Sequence, residues 1–208
     1  MRDAGVGRVL LASLHQGIAD ILPTRLGFYE SWLHAEGLRD GTIGLAPLYA
    51  VLSFLRQEGD PYKKITTSAG EYAAEWTVAA MPAFRRSVVR SAPAWMRRRM
   101  LMRMARRLVH DTYHGSRAIS RWRRGTANVD LRASIFCTVR EPVEYPLCGF
   151  YAAAFARMLA MFDVGATARV VACRGTGKSN CVVQVALQNG HVATPAADHA
   201  TSGAPEAR

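Results

Sequence analysis

Apolar residues recur at three- and four-residue intervals through the first half of the chain and then switch to every second residue. Leu10, Leu14, Ile18 and Ile21 place a helix over 9–22. Pro23 and Gly27 interrupt it, and a shorter helix is predicted from Gly27 to about Ala35. Gly37 and Gly41 punctuate a turn before an apolar helix over 46–56 (Leu48, Val51, Leu52, Leu55), which stops near Gly59-Asp60-Pro61. Thr67 or Ser68 is placed as the cap of the next helix, which runs through Trp76 and Val78 and bends or ends at Pro82. Two more helices are predicted over 83–91 and 94–113.

The period then shortens. Arg117 to Arg124 reads as extended. From Asn128 to Arg140, Val129, Leu131, Ala133, Ile135, Cys137 and Val139 share one face, while Asp130, Arg132, Ser134, Thr138 and Arg140 share the other; Phe136 is the exception. A helix from Pro146 to about Phe162 follows, with proline at its first position. Strands over 167–173 and 180–187 close the pattern around a glycine loop. The expected fold is therefore α+β. N-terminal helices (1–115) pack on a four-stranded antiparallel sheet in β-β-α-β-β order (116–187), as one domain. The stretch 188–208, rich in Ala, Thr, Ser, Gly and Pro, reads as a disordered tail.

Within that pattern the four cysteines stand out. Cys137, Cys148, Cys173 and Cys181 all fall in the last third of 208 residues. Cys173 ends one predicted strand and Cys181 starts its neighbour, so a hairpin brings the two together. Cys148 lies in the first turn of a helix, where free N–H groups favour thiolate. Cys148, Cys173 and Cys181 could hold zinc, with Cys137, Glu141 or Glu144 as the fourth ligand. Packing as small buried hydrophobes, or redox pairing of Cys173 with Cys181, are the alternatives.

The runs Ile135-Phe136-Cys137, Pro146-Leu147-Cys148-Gly149-Phe150-Tyr151-Ala152 and Cys173-Arg174-Gly175-Thr176-Gly177, with Cys181, resemble the 4-vinyl reductase domain family over about 128–187. That family is named for a protein of bacteriochlorophyll synthesis. It shares a superfamily with TRAPP-complex subunits and haem-NO-binding domains. The resemblance implies a small-molecule-binding domain, a sensor or carrier, with its pocket between helices and sheet. It also implies zinc held by cysteines like Cys148, Cys173 and Cys181 together with an acidic residue. Three positions depart from the family pattern: Ala153, Lys178 and Val183.

Aromatic residues supply pocket candidates, namely Trp76, Trp122, Phe136, Phe150 and Tyr151. With arginines at its mouth, such a pocket suits a flat hydrophobic or tetrapyrrole-like molecule with an acidic group. No dinucleotide motif supplies hydride, so an enzymatic role reduces to one accessory to vinyl reduction of a chlorophyll precursor. The alternative is a TRAPP-like interaction module acting as a homodimer or adaptor, without a free ligand.

Charge and motifs narrow the field further. Lys and Arg outnumber Asp and Glu by 27 to 16, a net +11, with the arginines concentrated between Arg85 and Arg132. The block from Arg97 to Arg107 reads as a solvated amphipathic helix or as a contact for an anionic membrane surface. No nucleic-acid-binding signature accompanies it, which disfavours nucleic acid as partner. Gly175-Thr176-Gly177-Lys178-Ser179 lacks the first glycine of a P-loop, where Ala172 stands, and precedes a strand instead of a helix. His110-Asp111-Thr112-Tyr113-His114 lacks the glutamate of a zinc protease. With no spanning segment or secretory leader in the pattern, a cytoplasmic location and reduced thiols are expected.

Overall fold

The computed structural model describes residues 6–33, 44–123 and 125–188. Among these lie seven α-helices and four strands. The helices are α1 (Arg8–Ile21), α2 (Leu26–Leu33), α3 (Leu45–Gln57), α4 (Asp60–Ala79), α5 (Ala83–Ser91), α6 (Ala94–Thr112) and α7 (Gly149–Ala160). The strands are β1 (Arg117–Arg123), β2 (Thr126–Arg132), β3 (Ala166–Ala172) and β4 (Cys181–Leu187). The order after α6 is β-β-α-β-β, as the periodicity predicts. The strands form one antiparallel sheet in the order β1-β2-β4-β3. The expected tail lies outside the described residues, apart from Gln188. No described helix is long and apolar enough to cross a membrane.

α4 is the pivot of the helical layer, packed against both α1 and α7. Small residues make this possible. Ala69, Gly70, Ala73 and Ala74 are buried along one stripe of α4. A Cβ on Gly70 would sit 2.2 Å from the Phe150 carbonyl oxygen of α7, so only glycine allows the helices to cross this closely. The buried face of the sheet is formed by Ala127, Val129 and Leu131 of β2 with Cys181, Val183 and Val185 of β4. α7 covers β3 and β4, and α6 covers β1.

Three boundaries differ from the periodic reading. α4 begins at Asp60 with Pro61 in its first turn, not at Thr67 or Ser68. The hydroxyl of Thr66 bonds back to the Tyr62 carbonyl at 2.9 Å, a bond compatible with a helix interior. β2 ends at Arg132, eight residues before the predicted Arg140. Ala133 adopts φ 54°, and a short 3-10 turn follows over Ile135–Cys137. The turn keeps Ile135 and Phe136 buried, so alternation survives along a segment that has left the sheet. α7 starts at Gly149, with Cys148 as its N-cap.

Candidate metal centre

The chain reaches the buried end of the sheet four times, and each time it carries a cysteine there. After β2, the turn at Ala133 and the 3-10 turn bring Cys137 back over the sheet; its N–H donates to the Ser134 carbonyl at 3.2 Å. The loop from Thr138 to Pro146 is tied to the β3–β4 connection by a bond from Val143 N–H to the Gly175 carbonyl at 2.7 Å. It delivers Cys148 to the start of α7. β3 ends at Cys173. The connection turns through a 3-10 turn at Arg174–Thr176 and through Gly177 at φ 79°, then leads to Cys181. The Cys173 carbonyl accepts from Thr176 N–H, Lys178 N–H and the Thr176 hydroxyl, which fixes the turn.

The four sulfurs all lie within 4.8 Å of one another. Cys137 Sγ is 3.0 Å from Cys148 Sγ, 3.3 Å from Cys173 Sγ and 3.4 Å from Cys181 Sγ. None is disulfide-bonded. Zn–S bonds of ~2.3 Å give a tetrahedron with sulfur–sulfur edges of roughly 3.8 Å, so the tetrad matches a single small ion. An iron–sulfur cubane, with four irons inside its thiolates, needs a wider cage. Glu141 and Glu144, the other candidates for the fourth position, do not join the group. Cys148, Cys173 and Cys181 are at most 1% exposed, and Cys137 is half-buried.

Backbone donors aim at the sulfurs from outside. Leu147 N–H points at Cys173 Sγ and Arg174 N–H at Cys181 Sγ, each at 3.3 Å. Such bonds favour thiolate. Crowding divides the four thiols. Hydrogen bonds from Cys137, then Cys148 and Cys181, hold Cys173 well below the usual thiol range. Cys181 is lowered by Cys137 and Cys148. Cys148 is pushed up by its bonds with Cys137, Cys173 and Cys181 and by burial. At Cys137 the downward pull of Cys148 is outweighed by Cys173, Cys181 and burial, and the net push is upward. A divalent cation at the centre lets all four thiols ionise together. The arrangement can hold a metal ion. Because all four positions are protein thiols in a buried setting, it leaves no open coordination site for catalysis.

No protein-family model matches the chain, and no curated protein does. Solved structures do. The crystal structure of an H-NOX protein from Shewanella oneidensis in the Fe(II)NO ligation state has a TM-score of 0.55 at 12% identity, covering 88% of this chain and 100% of that one. An NMR structure of an H-NOX domain from the same organism, in the Fe(II)CO state, has a TM-score of 0.51 at 10% identity, covering 89% and 100%.

The fold is H-NOX-like.

At that identity the likeness is one of architecture.

Within the H-NOX-like fold the five aromatic pocket candidates divide. Phe136, Phe150 and Tyr151 form one fully buried layer next to Cys148. Phe136 stacks on Phe150 with centroids 5.0 Å apart, and Tyr151 sets its edge against both at 5.5 and 5.3 Å. The Tyr151 hydroxyl meets Thr112 Oγ1 at 3.3 Å. Trp76 is elsewhere, stacked on Tyr72 of α4 at 5.6 Å. Trp122 lines a surface depression of about 610 Å³ that crosses all four strands, with Asp130 of β2, Val171 of β3 and Gln184 of β4. The structure does not bring these two tryptophans to the buried layer.

Other residues at the site carry no motif of their own. Ser134 Oγ lies 3.5 Å from Cys148 Sγ. Tyr62 of α4 donates to the Leu147 carbonyl at 3.1 Å, and Tyr145 donates to the Arg56 carbonyl at 3.0 Å. The Arg56 guanidinium is lowered chiefly by burial, and nearby Tyr62, Tyr145 and Cys137 oppose that shift. It is thus a half-buried positive charge beside a site that becomes anionic when loaded. Leu147 and Arg174 enter as chain neighbours of cysteines, a signal available in the sequence.

Proposed function

We propose that the chain is a small-molecule-sensing domain of H-NOX-like fold whose buried end is clamped by one structural zinc on Cys137, Cys148, Cys173 and Cys181. The observation that carries the metal half is the convergence of four thiols within 4.8 Å. An all-sulfur tetrahedral set in a closed pocket selects zinc, or a single iron, over hard cations. The metal joins the turn after β2, the start of α7 and both stems of the β3–β4 hairpin.

The fold likeness and the resemblance to 4-vinyl reductase domains support the sensing half. The expected ligand is a hydrophobic small molecule. The layer of Phe136, Phe150 and Tyr151 is its natural contact, since it joins the metal-bound turn to α7. A ligand that wedges into this layer moves the segment bearing Cys137.

Haem fits this chain poorly. The H-NOX neighbours hold ligated Fe(II), whereas no histidine among the described residues is buried. His15 pairs with Glu30 at 2.7 Å, and His110 is half-exposed near the end of α6 with its ring against His114.

Native mass spectrometry of protein purified from its own host, with elemental analysis, tests the reading. The expected result is one zinc per chain, lost on changing any one of the four cysteines to serine, with an organic molecule retained. Metal-free protein with four freely titrating thiols and undiminished stability would refute the metal half. Zinc-loaded protein that retains no organic molecule and binds none from a host extract would refute the sensing half alone.

A further inference from the structure

Pro82 and Pro93 fence off α5, nine residues of which only Val89 is buried. Phe84 is 77% exposed and Val88 39%, one turn apart. The first residues of α6 add Trp95 at 61% and Met96 at 39%. Four of the nine exposed large hydrophobics among the described residues thus fall within thirteen residues, which marks this edge as distinct from scattered surface leucines.

The charge around them has one sign. From Pro82 to Arg107 the chain carries nine arginines and no Asp or Glu. Arg85, Arg86, Arg98, Arg99 and Arg103 meet no carboxylate among the described residues. Arg90 instead lies over the Phe162 ring at 5.9 Å, and Arg106 donates to the Ala118 carbonyl at 3.0 Å. Farther along α6 the apolar face is already used, since Leu101, Met102, Ala105, Leu108 and Val109 are buried in the core. The exposed apolar surface is therefore α5 with the first turn of α6, and not the Arg97–Arg107 block as a whole.

The geometry points to this α5–α6 edge as a docking surface for a bilayer rich in anionic lipid. Phe84, Val88, Trp95 and Met96 enter the boundary between headgroups and acyl chains, while Arg85, Arg86, Arg98 and Arg99 meet lipid phosphates. Aromatic side chains favour that boundary, and nine residues cannot span the hydrocarbon, so α5 lies in the plane of the surface. Nucleic acid would use the arginines and could stack the aromatics. It offers nothing to Val88 and Met96, which have no ring to stack. Charge complementarity and the aliphatic pair together favour lipid. The inference is independent of the metal and of the sensed ligand.

The test is co-sedimentation of the full chain with phosphatidylcholine vesicles, with and without phosphatidylserine. Binding is expected only to the phosphatidylserine vesicles and weakens as salt rises. Changing Arg85→Ala together with Arg86→Ala lowers affinity roughly 25-fold, at about fivefold per arginine. Phe84→Ser with Trp95→Ser lowers it at least ~10-fold. Phe84, Arg85 and Trp95 are exposed and Arg86 is partly exposed, and unchanged circular dichroism confirms intact folds. Equal binding to both vesicle types, or full binding by either double variant, would overturn the proposal. So would a DNA duplex that displaces the chain from vesicles and binds the Phe84→Ser, Trp95→Ser variant as tightly as the parent.

Discussion

Removing the metal with a chelator is expected to lower the melting temperature by about 8–16 °C. An ion that binds only the folded chain stabilises it by RT ln(1 + [M]/Kd), which is ~4.1 kcal/mol when free metal is ~1,000 times Kd. Each kcal/mol shifts Tm by ~2–4 °C in a domain of this size, which gives the stated range. The structure explains why the linkage is this direct. The tetrad joins cysteines up to 44 residues apart, and its sulfurs crowd to 3.0–3.4 Å around Cys137, so the unfolded chain offers no equivalent site. The sulfur set also predicts non-additivity. Cys148→Ser, at a fully buried N-cap, should cost about as much as chelation or more, and the chelator should then have no further effect on that variant. Calorimetric melts with and without chelator, read alongside metal per chain, make the measurement. Superimposable melts with and without chelator on protein shown to contain metal would refute the reasoning. So would a chelator shift in Cys148→Ser equal to that of the parent.

Three further outcomes follow from the packing. Gly70→Ala forces a methyl to within 2.2 Å of the Phe150 carbonyl and should destabilise the chain by at least ~1–3 kcal/mol, visible as a lowered urea midpoint. Tyr62→Phe leaves the Leu147 carbonyl without its buried donor and should cost ~1–3 kcal/mol; because Leu147 N–H holds Cys173, metal release should also quicken, followed with a chromogenic chelator. Burial, and then the bond its hydroxyl donates to Glu58, raise the Tyr29 phenol to about 12. The fold keeps this phenol neutral, so its contribution is fully present below about pH 10 and is lost as pH rises through 12. Stability of the parent should fall more steeply over that interval than that of Tyr29→Phe.

The sequence carried the helix–sheet division because the two periods, near 3.6 and 2, are direct consequences of backbone geometry. Its errors have one origin. Periodicity reports which face is buried, not whether the chain is still in a strand or a helix. Ile135 and Phe136 are buried in a 3-10 turn, so alternation ran on past Arg132 and placed Cys137 on an apolar strand face. The break was visible in the adjacent pair Ile135-Phe136, which alternation forbids. Aromatic residue type does not say which neighbours a ring meets: Trp76 stacks on Tyr72 and Trp122 lines the surface depression, while Phe136, Phe150 and Tyr151 pack on one another.

Convergence of the cysteines depends on strand order, which local pattern does not contain. Because β4 lies between β2 and β3, Cys181 pairs with Leu131, near the end of β2. A chain leaving β2 there needs only the turn at Ala133 and the short 3-10 turn after it to carry Cys137 back to Cys181. The β3–β4 hairpin supplies Cys173 at the same end of the sheet. α7 packs along β3 and leads directly into it, so the end of β3 lies by the start of the helix, where Cys148 is the cap. Exchanging β3 and β4 in the sheet would keep every local element and separate Cys181 from β2. The tetrad is thus a consequence of the 1-2-4-3 order, and a metal bound by it holds the ends of β2, β3 and β4 to the start of α7.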